Sequence, residues 1–480
     1  MRKDLVIFEL NDSHGYLEPH QEYFWTGKGE EYKITGGFAG IASVINDARK
    51  NNPGKVALFD GGDTIHGTFP AVKSKGELFL PVLNEIKFDA MTAHWEFAYT
   101  PEGFKNFTRK LQYPMLAVNC YYKDTNELVF EPYRLMEVNN IRIGVIGIAA
   151  TIVDKSMPEH FSTGVYFTLG NEELPHYIDK LRNDEKAGLI IVLSHLGFPQ
   201  DVKLAQKVNG IDILLSAHTH NRLYKPVIIN NAIIIQSGSH GSFLGKLELE
   251  IESSRIKDFS HELIAIDEKI VPDAHIESII NEALSPFRKE LSETSGYTET
   301  SLNRNMILES TMDNFLLQSV IDYTGAEIAF SNGWRYGAPV PKGKVTVNDL
   351  WNIIPVNPPV MLTKITGREI LEMMEENLES TFASDPWKQM GGYVKRVNGL
   401  NIYIKIENPA GQRVQEIFAR GKRLLPERVY TAAYLTQQGV PKKYGTDRQE
   451  AGISAIDALK LYLGKHKALR SDLCGSVAAV

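Results

Sequence analysis

Four short polar motifs carry the residues best suited to hold metal ions. Asp12 and His14 stand two apart, Asp63 and His195 stand singly, and His218 and His220 again stand two apart. Carboxylate oxygens and imidazole nitrogens together suit two borderline divalent cations that share a bridging carboxylate, and such a pair supports hydrolysis by activated water. One histidine after a strand is more often a hydrogen-bonded polar residue than a ligand. Four motifs in this order, each behind its own apolar run, reverse those odds.

The elements that must position these residues are legible as apolar runs. Residues 5–10, 56–59, 141–148, 189–193, 211–215 and 232–236 are short and rich in Val and Ile, the pattern of strands buried in an α/β layered domain. The polar motifs follow the first, second, fourth and fifth of these runs, and sites in α/β sheets form where strands end. Helical spacing fills 38–50 and 171–186, the latter with Leu174, Ile178 and Leu181 on one face. Residues 271–296 read as a polar linker helix, with Pro272 near its start and Gly296 at its end. The remaining part mixes helices at 312–323, 367–379 and 452–463 with strands such as 401–406. A chain of 480 residues exceeds one core. The expected division is therefore a metal-binding domain at 1–270, the linker helix, and a C-terminal domain at 297–480.

Composition excludes several classes. Hydrophobic residues make up 43% and charged residues 23%, with a net charge of −7, and the basic residues are dispersed, which argues against a nucleic-acid partner. The two cysteines, Cys120 and Cys474, are far apart and outside any CxxC spacing, so they read as free thiols. The first apolar run is too short for a signal segment or a membrane span. That predicts a cytoplasmic protein without membrane contact, unless a leader has been removed.

NDSHG at 11–15, DGGD at 60–63, Ser194-His195 and SAHTH at 216–220 resemble the metal blocks of the 5′-nucleotidase family of binuclear metallophosphoesterases. The resemblance spans nearly the whole chain. It implies a four-layer α/β/β/α metallophosphoesterase domain followed by a smaller α+β domain, with the site in the cleft between domains. It also implies two divalent ions, with manganese expected and zinc or iron permitted. Asp12, His14 and His220 would hold one ion, His195 and His218 the other, and Asp63 would bridge.

The family's Gly-Asn-His-Glu-Phe-Asp is replaced here by Ala93-His94-Trp95-Glu96-Phe97-Ala98. His94 would then take the place of an asparagine ligand, Trp95 that of the histidine that stabilises the transition state, and Ala98 that of its aspartate partner. Indole has one weakly acidic N–H and no proton to give. Losing such a donor typically costs roughly 10²–10³ in rate. His66, three residues past Asp63, is a possible substitute donor or a supporting residue, and His240 is a similar case. The His-Trp-Glu-Phe form and MGGYVKRVNGL at 390–400 also resemble the thiosulfohydrolases of bacterial sulfur oxidation, whose sulfur leaving group needs less acid help.

On the substrate side, SNGWR at 331–335 resembles the family's phosphate-binding loop, so Asn332 and Arg335 are expected to bind substrate, Arg335 as an oxyanion clamp. Tyr393, or Val394 in its place, and Tyr434 fall where the family holds two base-stacking aromatics, and Val440 stands where it has a ribose-binding aspartate. Lys395 and Arg396 read as a solvated charged pair. Three readings follow: a phosphoesterase with altered substrate preference acting on a small anionic phosphoester; a thiosulfohydrolase-like enzyme acting on a thiosulfonated carrier protein; and a metal- and anion-binding protein with impaired catalysis.

Overall fold

The computed structural model describes residues 2–480. Contacts divide the chain into two compact units: the residues up to His20 with Lys33–Pro286, and Gln21–Tyr32 with Phe287–Val480. The expected linker helix spans Ala274–Leu291, and the division falls inside it at Pro286.

The first unit is built on two sheets. One orders its strands Arg255–Ala265, Phe243–Glu252, Arg2–Leu10, Val56–Asp60 and Ala90–Met91; the other orders Val227–Ile229, Ala232–Ile235, Ile213–Ser216, Leu189–Ser194, Ile141–Ile148 and Tyr133–Val138. Side chains alternate along each strand, and the alternation separates the layers. Leu189, Ile191 and Leu193 join Leu5, Ile7 and Phe59 in a core between the sheets. Ile190 and Val192 point the other way, onto Ile178, Leu181 and Leu204 of the covering helices. Both faces are buried, so these runs are apolar throughout instead of alternating. On the first sheet's side, Phe38, Ile41 and Ile45 of the helix Phe38–Asn51 are buried. The result is the α/β/β/α layering implied by the motifs.

Parallel pairing aligns the strand ends. Leu10 pairs with Asp60 in one sheet and Ser194 with Ser216 in the other, so the four polar motifs all begin at C-terminal strand edges.

The second unit centres on a five-stranded sheet ordered Tyr393–Asn398, Ile328–Gly333, Val429–Leu435, Pro359–Thr366 and Thr446–Ser454. Helices Thr311–Thr324, Gly367–Phe382 and Ala455–Lys465 belong to the same unit. Residues 21–32 join it as well, with Tyr32 Oη accepting from Asn303 Nδ2 at 3.0 Å. Among the described residues no helix is long and apolar enough to cross a membrane.

Candidate metal centre

The residues at the strand ends are held in an unusual backbone state. Asp12 (φ 51°), His14 (47°), Asp63 (56°), His218 (76°) and His220 (59°) all lie in the left-handed region, where non-glycine residues are uncommon and strain is held in place by the surrounding structure. Gly62 (φ 88°) lets the DGGD turn pass close to the neighbouring strand end, since a Cβ there would stand 2.7 Å from the Thr92 carbonyl.

These turns gather seven donors into two groups within the first unit. Asp63, His94, His195 and His218 form one, and Asp12, His14 and His220 the other; within each group the donor atoms lie within 4.8 Å of one another. Asp63 Oδ2 is 3.2 Å from His94 Nδ1, 3.2 Å from His195 Nε2 and 3.8 Å from His14 Nε2 of the second group. Asp12 Oδ1 is 3.3 Å from His220 Nε2 and 3.7 Å from His195 Nε2. All but His220 are at least nine-tenths buried.

Each carboxylate is pinned by one oxygen and presents the other. Asp12 Oδ2 accepts from Asn11 Nδ2 at 2.7 Å and from the His218 amide at 2.9 Å, while Asp63 Oδ1 accepts from the Trp95 amide at 2.6 Å. His195 Nδ1 contacts the Gly61 carbonyl at 2.6 Å, an orientation that leaves Nε2 facing the donors. Glu96 accepts from the amides of Thr64 (2.6 Å) and His94 (2.8 Å), tying two ligand loops together. Asp201 accepts from Ser194 and Ser216 at 2.6 Å each, locking the strand ends that carry His195 and His218.

The donor set fits cations. His14 Nε2 and His220 Nε2 face one another at 3.1 Å, and Asp12 Oδ1, His94 Nε2 and His195 Nε2 are buried without a well-aligned hydrogen-bond partner among the described residues. Electrostatics agree. Burial opposes charge on Asp63, but His94 and His195 outweigh it and hold the carboxyl well below its usual range. Burial likewise opposes protonation of His195, yet Asp63 and Asp12 raise it to about 10, a proton that a cation would displace. Behind the donors, burial pushes Asp60 and Asp201 up to about 7 and Glu9 well above its ordinary value, so the charged form is favoured at Asp63 and His195 and opposed at the carboxyls behind them, while burial lowers His14 to about 3 and keeps it neutral.

In the second unit, Asn332, Arg335 and Tyr393 come together at the end of the strand Ile328–Gly333. Arg335 donates to the Gly392 carbonyl at 3.3 Å and lies 5.8 Å from the Tyr393 ring centre; Asn332 Oδ1 accepts from Thr436 at 3.2 Å. Tyr434 does not join them. It is 3% exposed within the apolar core, and its hydroxyl accepts from Arg448 at 2.7 Å, so the expected stacking face is absent. Lys395 and Arg396 also depart from expectation: both are buried rather than solvated. Arg396 stands 2.9 Å from Asp313, which Arg304 also engages at 2.8 Å, while Lys395 donates to the Gln438 carbonyl.

Residues 290–437 match the profile of the 5′-nucleotidase C-terminal domain. The trifunctional nucleotide phosphoesterase protein YfkN of Bacillus subtilis (strain 168) is 24% identical over 86% of this chain, which spans 30% of that longer protein. A 5′-nucleotidase of Vibrio vulnificus (strain CMCP6) is 24% identical over 89% of this chain and 83% of its own length. Over most of its length the chain is therefore similar to nucleotide phosphoesterases and 5′-nucleotidases. Its fold is that of two proteins of Thermus thermophilus: the sulfate thiohydrolase SoxB (TM-score 0.92, 24% identity, 99% of this chain and 96% of that one) and a 5′-nucleotidase precursor (TM-score 0.87, 20% identity, 100% and 99%).

Trp95 is 9% exposed. It stacks on His66 (ring centres 4.8 Å apart, 22° between planes) and meets Phe161 edge-on at 5.6 Å. His66 is buried with Nδ1 unpartnered, and burial lowers it to about 4. His240 lies 6.2 Å from both His14 and His220, and its amide donates to the Asp12 carbonyl at 2.7 Å. Sequence reading missed the supporting residues Asn11, Glu96 and Asp201. Asn11 and Glu96 lie inside motifs already singled out, whereas Asp201 carries no signal beyond its place at the start of a helix.

Proposed function

We propose that this chain is a dimetal-dependent hydrolase of phosphoesters with good leaving groups, and that nucleotides are poor substrates. The observation that supports it is a complete, preformed donor set beside an indole that has no proton to give. Asp12, His14 and His220 would hold one cation, His94, His195 and His218 the other, with Asp63 between them. Two divalent cations held by these residues would supply Lewis acidity toward a phosphoryl oxygen and would lower the pKa of water to roughly 7.

The chain's own residues do the rest. Pinned carboxylates and oriented imidazoles hold the donors without reorganisation. Trp95 and Phe161 form an apolar wall. His66, a neutral ring held flat against Trp95, is the proposed hydrogen-bond donor to substrate, while Arg335, Asn332 and Tyr393 are the proposed substrate-binding residues of the second unit, the guanidinium fork suiting a tetrahedral oxyanion. With Tyr434 in the core and Val440 fully buried, neither base stacking nor a ribose carboxylate comes from those positions.

The test is turnover of AMP, an aryl phosphate, a cyclic nucleotide and an S-thiosulfonated cysteine peptide by the purified protein with manganese. The aryl phosphate is expected to be cleaved and AMP to lag by roughly 10²–10³; AMP turnover at about 1–10³ per second would overturn the proposal. A second reading, cleavage of a sulfur-linked sulfonate from a carrier, is supported by the His94-Trp95-Glu96-Phe97 form, because a thiolate leaves without acid help. Turnover of the thiosulfonated peptide alone would select it.

A further inference from the structure

In the second unit the strand Val429–Leu435 runs parallel to Ile328–Gly333, with Ile328 opposite Ala432 and Phe330 opposite Tyr434. Two residues further on, at the kind of strand end where α/β sites form, this register sets Thr436 opposite Asn332. The Thr436 hydroxyl donates to Asn332 Oδ1 at 3.2 Å. Thr436 also has φ 60°, in the left-handed region, where a β-branched residue is a true outlier and strain persists only if the surroundings impose it.

The surroundings do impose it. Thr436 opens the single helical turn Thr436–Gly439, which is held from two sides. The buried Lys395 ammonium donates to the Gln438 carbonyl, and Asn377 Oδ1 fixes Lys395 by accepting from its amide at 2.7 Å. Gly439 packs on the strand Ile328–Gly333, where a Cβ would stand 3.2 Å from the Phe330 carbonyl. Clamped at residues 438 and 439, the turn leaves Thr436 little freedom to relax.

This bond sets the face that Asn332 presents. An amide side chain carries its acceptor and its two donors on opposite branches. With Oδ1 held by Thr436, Nδ2 turns the other way; it has no partner among the described residues, and it is not a buried atom, since Asn332 is partly exposed. Arg335 follows three residues later at the same strand end, donating to the Gly392 carbonyl. Two amide N–H groups beside a guanidinium suit an oxyanion, whereas a reversed amide would turn its carbonyl oxygen toward one and repel it.

We infer that Thr436 is a positioning residue for substrate binding: by holding Asn332 Oδ1 it turns Asn332 Nδ2 toward an oxyanion of the substrate and makes this subsite select an anionic acceptor. The inference rests on the reading of Asn332 and Arg335 as substrate-binding residues.

Calorimetric titration of the manganese-loaded protein with inorganic phosphate tests it, alongside KM and kcat for an aryl phosphate. Thr436→Val is expected to weaken phosphate binding and raise KM by about two- to tenfold, the worth of one hydrogen bond, with kcat and the thermal midpoint little changed. Thr436→Ala, which lacks both the hydroxyl and the branch, is expected to match it, and Thr436→Ser to bind as the unaltered protein does. Asn332→Ala should lose at least as much, and adding Thr436→Val to it should cost nothing more, because the hydroxyl acts through Asn332. Unchanged phosphate affinity in Thr436→Val and Thr436→Ala, failure of Thr436→Ser to restore it, additive losses in the double variant, or no phosphate binding by the unaltered protein would each overturn the proposal. The expected pattern of phosphate binding without hydrolysis of the aryl phosphate would support it and overturn the phosphoesterase reading alone.

Discussion

Returning a histidine to position 95 tests the catalytic reasoning most sharply. Residues 95–99 form a single 3₁₀ segment, in which side chains three apart eclipse, so position 98 lies beside position 95 on the same face. Trp95→His with Ala98→Asp would therefore set a carboxylate next to the introduced imidazole, and Ala98 is only partly buried, which leaves the aspartate room. The contact that Trp95 makes to Asp63 runs through its backbone amide and survives any side chain. Losing the stack on His66 and the edge contact with Phe161 removes two aromatic pairs worth about 0.5–1.5 kcal/mol each. The protein should tolerate that within a stability of roughly 5–15 kcal/mol. One regained transition-state donor is worth roughly 10²–10³. The expected result, from steady-state assays with manganese, is a rise of that size in kcat/KM for AMP and less than tenfold for an aryl phosphate whose leaving group needs no proton. A folded, metal-replete double variant with unchanged AMP hydrolysis, or with both substrates rising equally, would refute the assignment of Trp95 as the residue that disables alkoxide departure.

Two further outcomes follow. His94→Ala should lower bound metal from two ions toward one by elemental analysis, and an unchanged content would remove His94 from the ligand set. Burial pushes the Lys395 ammonium down to about 7 from its ordinary value near 10.5. Between those values the unfolded chain binds the extra proton, so stability should rise with pH from about 7 to 10.5. Lys395→Met should flatten that slope and add stability at pH 7 on the order of a few kcal/mol, read from denaturant midpoints across pH; an unchanged slope would mean that the amine reaches solvent.

The first unit was legible because its strands are buried on both faces. The run ending at Leu193 has no polar position, and those ending at Leu10 and Leu215 have one each, Glu9 and Asp212, so the polar residues that follow stand out against them. The second unit read less well for the same physical cause. The strand Val429–Leu435 is central in its sheet, so Tyr434, which looked like a ligand platform, is core. Lys395 and Arg396 looked solvated because what pairs with Arg396, Asp313, is more than eighty residues away in sequence. The helix expected to begin at 452 starts instead at Ala455, where Ser454 caps it through the Asp457 amide and the strand Thr446–Ser454 holds the residues before.

What no pattern conveyed is the strain. Nothing about an aspartate or a histidine in sequence marks it as left-handed, yet five of the seven candidate metal donors adopt that state. At roughly 1–3 kcal/mol for each such residue, the strain together is of the same order as a domain's whole net stability. It persists because the elements around it leave the turns no alternative. The amides of Trp95 and His218 hold the carboxylates, Glu96 ties the Asp63 and His94 loops, and Asp201 ties the strands that carry His195 and His218. Within this braced and buried cluster Asp12 Oδ1, His94 Nε2 and His195 Nε2 have no well-aligned hydrogen-bond partner among the described residues, and a cation is the kind of group that carboxylate and imidazole atoms so placed can hold.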